Sequence, residues 1–179
     1  MTRRHTGVLG LLAAVPLLLA GTSAALAQAK PADGAPVRTE TVVYENWIVT
    51  CRDRVEKSSK KICAATLKVS DTKSKRDVLV WQIGQDDAGA PTFAFRVPFG
   101  VRVKEGVSVV VDSGKPRKVD YVTCDNRGCE AAGPLDAAFG KELLGGRQAT
   151  VTFTLINGRP VSLKVPLNGI AKALPALKG

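Results

Sequence analysis

The chain is poor in the residues most enzymes depend on. Of its 179 residues one is histidine, His5, at the extreme N-terminus. A body without histidine cannot build a Ser-His-Asp or Cys-His nucleophile. Nor can it build the usual histidine-containing zinc site or a site of two histidines and one carboxylate. It also lacks the one side chain that titrates near neutrality without tuning. Carboxylate-pair, Ser-Lys and substrate-assisted chemistry survive this cut, but each needs a tuned environment that spacing does not reveal. Aromatic residues are few, two Trp, two Tyr and five Phe. No basic motif is interleaved with them, which argues against a nucleic-acid partner. Beyond the N-terminal segment no apolar run approaches the roughly 20 residues that span a bilayer, so no integral membrane segment is expected in the mature chain. Acids are outnumbered, 16 Asp plus Glu against 26 Lys plus Arg, for a formal net charge of +10.

What is present begins with an export signal. Arg3 and Arg4 precede a nearly continuous apolar run from Val8 to Ala20, and Ala25-Leu26-Ala27 places small residues where a signal peptidase reads. The run is about 13 residues long and contains Pro16, too short and too broken for a membrane anchor. Residues 1–27 are therefore expected to be a cleaved signal peptide, followed by a flexible Ala/Pro/Gly-rich leader over 28–40 and one domain over 41–179. Cleavage leaves 152 residues, a net charge of +8 and no histidine. The expected location is the periplasm, or the cell surface or exterior.

Four cysteines, Cys51, Cys63, Cys124 and Cys129, in an exported chain read as two disulfides. Of the three pairings, Cys51–Cys63 with Cys124–Cys129 is favoured because each bond joins near neighbours across a polar stretch. Neither pair has the C-x2-C spacing of a zinc site or a thioredoxin-like redox motif, so neither metal nor cofactor is implied.

Between these landmarks the chain alternates as strands do. Trp47, Val49 and Cys51 share one face, as do Cys63, Ala65, Leu67 and Val69, and Phe93, Phe95 and Val97. Asp77–Gln85 is apolar on both faces, with Leu79, Trp81 and Ile83 on one and Val78 and Val80 on the other, which predicts a central strand. Arg117–Cys124 reads as one strand through Val119 and Tyr121. Gln148–Leu155 and Val161–Val165 flank Asn157-Gly158, a strong hairpin signal. Pro134–Leu144 and Asn168–Leu177 carry helical spacing. The expected fold is mainly β, an antiparallel β-sandwich with one or two short helices and two local disulfides.

The ordered set Glu45-Asn46-Trp47-Ile48-Val49-Thr50-Cys51, Cys63, Val97-Pro98-Phe99-Gly100-Val101-Arg102-Val103-Lys104-Glu105-Gly106-Val107, Tyr121-Val122-Thr123-Cys124, Gly128-Cys129 and Val165-Pro166-Leu167-Asn168-Gly169-Ile170 resembles the invasion-associated locus B family of exported, mainly alphaproteobacterial proteins. The resemblance spans about Tyr44 to Leu177. The chain departs from the family in Phe99, between Pro98 and Gly100, and in a lysine-rich first loop. The resemblance implies a small disulfide-bearing β-sandwich in the periplasm or at the cell surface; the family takes its name from a role in host-cell invasion by some pathogens, while other members belong to bacteria that invade nothing. It brings no catalytic residues.

Candidate functional residues are basic. Lys57, Lys60 and Lys61, then Lys73, Lys75 and Arg76, then Lys115, Arg117 and Lys118 fall in three expected loops. Brought together, they would form an anion-binding patch for an anionic envelope or host-surface partner. The expected function is a non-enzymatic binding protein. Two alternatives stand beside it: a carboxylate-dependent envelope hydrolase, with Asp120 and Glu130 meeting in a cleft, and a structural or chaperone-like periplasmic factor with an open strand edge or apolar groove. Trp47 and Trp81 read as core, Asp86-Asp87 as turn, and Ser113-Gly114-Lys115 as too short for a Ser-Lys nucleophile.

Overall fold

A computed structural model describes residues 37–54 and 61–178. In chain order the elements are β1 (Val37–Tyr44), β2 (Trp47–Arg54), β3 (Ile62–Ser70), β4 (Asp77–Gln85), β5 (Pro91–Val97), β6 (Val107–Val111), β7 (Arg117–Val119) and β8 (Tyr121–Asp125). They continue with β9 (Gly128–Pro134), α1 (Ala137–Gly145), β10 (Gln148–Thr154), β11 (Pro160–Pro166) and α2 (Ile170–Ala176). A seven-stranded sheet runs β1-β2-β3-β4-β5-β9-β8 and a four-stranded sheet runs β11-β10-β6-β7. Every pairing is antiparallel. The architecture is the expected antiparallel β-sandwich, with both short helices packed on the same core.

Alternation decides which side chains face that core. In β4, Leu79, Trp81 and Ile83 are fully buried, and β4 lies fourth of seven in the large sheet, as a strand apolar on both faces should. An aromatic ladder crosses the interior. Trp47 stacks edge-on to Trp81 at 5.4 Å between centroids, Trp81 meets Phe95 at 4.8 Å, Phe95 meets Phe93 at 5.5 Å, and Phe93 meets Phe139 of α1 at 4.9 Å. Among the described residues no polar or charged residue is fully buried.

Both favoured disulfides form. Cys51 and Cys63 are register partners on β2 and β3, and Cys124 and Cys129 on β8 and β9, each pair 4.0 Å apart at Cα. The second pair closes a turn that requires glycine. Gly128 has φ of 130°, and a side chain there would overlap the Val97 carbonyl.

Two expectations are corrected. Arg117–Cys124 is not one strand. β7 pairs with β6 in the small sheet, and β8 pairs with β9 in the large one, so the chain changes sheets at the exposed Asp120. Its apolar alternation continues through the corner because Val119 and Tyr121 both face the shared core. And β1 begins at Val37, so Val37–Glu40 belong to the sheet and not to the expected leader. Their side chains are exposed, hence no apolar signal. Backbone pairing to β2 and the Glu40–Lys61 ion pair at 3.0 Å hold them. The rest of 28–40, and residues 1–27 where a signal peptide is expected, lie outside the described residues.

Candidate functional site

The meander of the large sheet sets where its turns go. Successive hairpins leave from opposite ends, so β3 separates Lys61, just before its start, from Lys73, Lys75 and Arg76, just past its end. Nine residues at roughly 3.3 Å each put about 30 Å between them. Lys115 lies in the β6–β7 loop, beside the start of β10, whose Gln148 carbonyl accepts from the Asp112 amide at 2.8 Å. Lys57 and Lys60 lie outside the described residues. Among the described residues, Lys61 and Lys115 therefore do not join Lys73, Lys75 and Arg76.

Several of these cations are also occupied. Lys61 pairs with Glu40. Arg117 pairs with Asp136 at 2.8 Å and lies 4.7 Å over the Phe139 ring, which ties β7 to α1. Lys118 pairs with Asp120 at 3.3 Å. Lys73, Lys75, Arg76 and Lys115 form no ion pair among the described residues.

What the fold does bring together lies past the C-terminal ends of β3 and β5. The β3–β4 turn, the segment after β5 and the β8–β9 turn line an open cleft of about 900 Å³, with Asp71, Ser74, Arg76, Arg96, Phe99, Asn126 and Arg127 on its walls. Beside it, the Ile156 amide donates to the Gly100 carbonyl at 2.7 Å, which brings in the β10–β11 turn with Arg159. Arg102 and Lys104 follow on the same segment. Lys104 and Arg159 also form no ion pair among the described residues.

The acids here are committed to holding the turns. Asp71 accepts from the Ser74 amide at 2.7 Å, and that bond above all holds its carboxyl below the ordinary range. Asp77 is lowered chiefly by the Ser70 hydroxyl, which donates at 2.7 Å, and Asp125 chiefly by the Arg127 guanidinium, 2.7 Å away. Glu130 pairs with Arg96 on the outer face of the sheet. Lowered carboxylates are stable anions and not proton donors at neutral pH. Asp120 and Glu130, the pair a hydrolase would need, do not meet. Asp120 is exposed beside Lys118, and the two line different clefts.

Sequence reasoning missed Arg96, Phe99, Lys104, Arg127 and Arg159 as members of this end. Signals existed: Arg96 is the charged outward position in Thr92–Val97, Arg127 sits between two cysteines, and Arg159 follows the Asn157-Gly158 hairpin. None reports that these turns are neighbours.

Comparison with known proteins agrees with the fold. The chain is 30% identical over 178 residues to invasion protein B of Bartonella bacilliformis, covering 91% of this chain and 92% of that one. It is 26% identical over 146 residues to an invasion protein B homolog of Brucella abortus (strain 2308), covering 81% and 82%. The crystal structure of invasion associated protein b from Bartonella henselae superposes with a TM-score of 0.65 at 25% identity, over 78% of this chain and 96% of that one. The "Invasion associated locus B (IalB) protein" family matches residues 47–178, from the first core tryptophan to two residues past the last helix. This chain therefore belongs to the invasion associated locus B family.

Proposed function

We propose that the protein is exported, acts without catalysis, and binds an anionic envelope or host-cell partner through the basic end where the β3–β4, β8–β9 and β10–β11 turns meet the segment after β5. The observation that carries this reading is a local imbalance. Lys73, Lys75, Arg76, Lys104 and Arg159 form no ion pair among the described residues, while Asp71, Asp77, Asp125 and Glu130 are already held by turn amides, hydroxyls or arginines. Asp77, Asp125 and Glu130 are offset by Lys68, Arg127 and Arg96, so among the described residues these five cations face one carboxylate without an ion pair, Asp71, and this excess supports a positive field at this end. The N-terminal signal pattern supports export, and the names of the relatives support contact with a host cell. Of the residues singled out in the sequence, Lys73, Lys75 and Arg76 form the proposed anion-binding set.

Retention of the mature protein on a sulfated-polysaccharide matrix tests this. Retention should fall as salt rises. The Lys73→Gln/Lys75→Gln/Arg76→Gln variant should elute at much lower salt. A Lys115→Gln/Lys164→Gln/Lys172→Gln variant of equal net charge should elute close to the parent. Equal losses in the two triple variants would show net charge alone and overturn the assignment to this end.

A further inference from the structure

The same end of the molecule carries apolar side chains that a purely polar partner would leave in water. Phe99 is 57% exposed, Val103 50% and Ile156 74%. Scattered exposed apolar residues are ordinary, but these are joined by the backbone. The Ile156 amide donates to the Gly100 carbonyl at 2.7 Å, and the Arg102 amide to the Thr154 carbonyl at 2.8 Å. The Arg102 guanidinium donates to the Ile156 carbonyl at 3.4 Å and pairs with Glu105 at 3.1 Å. Phe99 is presented by Pro98 before it and by Gly100 after it, whose φ of 89° turns the chain back. The result is a braced tip, with Lys104 and Arg159 beside the apolar groups.

We propose that this tip docks on an anionic phospholipid bilayer, with Phe99, Val103 and Ile156 entering the headgroup and upper acyl region and Lys104 and Arg159 meeting lipid phosphates. The inference rests on the binding role assigned above to the basic end and names its partner. Interfacial attachment needs apolar side chains that reach past the headgroups and cations that stay among them, and the tip supplies both within one bonded loop pair. A soluble polyanion would engage the cations only and offers no apolar phase. A second copy of this chain would set like charges against each other.

Co-sedimentation of the mature protein with phosphatidylcholine vesicles, with and without phosphatidylglycerol, tests the proposal. Binding should require phosphatidylglycerol and weaken as salt rises. The Phe99→Ala/Ile156→Ala variant should lose about tenfold or more in vesicle affinity while keeping its retention on the sulfated matrix and its melting temperature. Lys104→Gln/Arg159→Gln should weaken both. Vesicle binding unchanged by Phe99→Ala/Ile156→Ala would overturn insertion of the tip. Absence of vesicle binding with matrix retention intact would overturn the lipid partner and leave the basic-end reading standing. Absence of both would overturn both.

Discussion

At the scale of single residues, Trp81 holds more of the interior than any other side chain on its strand. It touches Trp47 on one side and Phe95 on the other and is fully buried. Trp81→Ala should cost about 3–5 kcal/mol in denaturant unfolding. Trp81→Phe should cost clearly less, because among the described residues the indole N–H has no hydrogen-bond partner to lose. Tyr121 offers a separate test. Burial pushes its hydroxyl up to about 12 from the ordinary 10.0, and the hydroxyl has no partner among the described residues. The folded state therefore holds this proton more tightly than the unfolded chain. The associated stability is complete below about pH 10 and lost as pH rises toward 12. Tyr121→Phe should remove that alkaline component and leave neutral stability almost unchanged. Unfolding midpoints measured across the alkaline range decide the matter; identical alkaline profiles for the two proteins would refute it.

At the scale of elements, α1 depends on its first residue outside the helix. Asp136 caps it, accepting from the Phe139 amide at 2.7 Å, and also receives Arg117. Asp136→Ala should lower the melting temperature, and Asp136→Asn should retain part of the cap while losing the ion pair. The disulfides differ in weight. Cys51–Cys63 closes a segment of 12 residues' separation and Cys124–Cys129 one of 5. Replacing the first pair by serine should cost about 3 kcal/mol, and the second less. Strand legibility followed burial. β4 and β10 were readable because alternate positions are apolar and buried. β1 was not, because it is an edge strand whose side chains are almost all exposed and whose place is set by pairing. The corner at Asp120 was hidden for the opposite reason: the apolar pattern runs on although the pairing partner changes. In native-state hydrogen exchange the β1 amides should exchange well before those of β4.

At the scale of the whole molecule, pH behaviour follows from the carboxylates and from the lack of any histidine after His5. Asp71, Asp77, Asp125 and Asp136 lie below the ordinary 3.8, and Glu40 and Glu105 below 4.5. Their contributions are present above those ordinary values and are lost as pH falls through the lowered ones. The domain from Val37 onward should show a flat denaturation midpoint from about pH 5 to 8, where it has no histidine to titrate, and a fall below about pH 4. A step near neutrality would contradict this.

The sequence by itself determined which residues alternate, hence which faces the core strands bury, because a side chain's face follows from the two-residue period of the backbone; the exposed edge strand β1 and the split between β7 and β8 were not in that pattern. It favoured one of three disulfide pairings, and the fold decided it, because near neighbours in adjacent antiparallel strands become register partners. The basic surface was decided only by tertiary structure. Loops that look alike along the chain are sent to opposite ends by an antiparallel meander, about 30 Å apart. Residues as distant in sequence as Arg76, Phe99, Arg127 and Ile156 arrive together because β3, β5, β9 and β10 present their turns to one end.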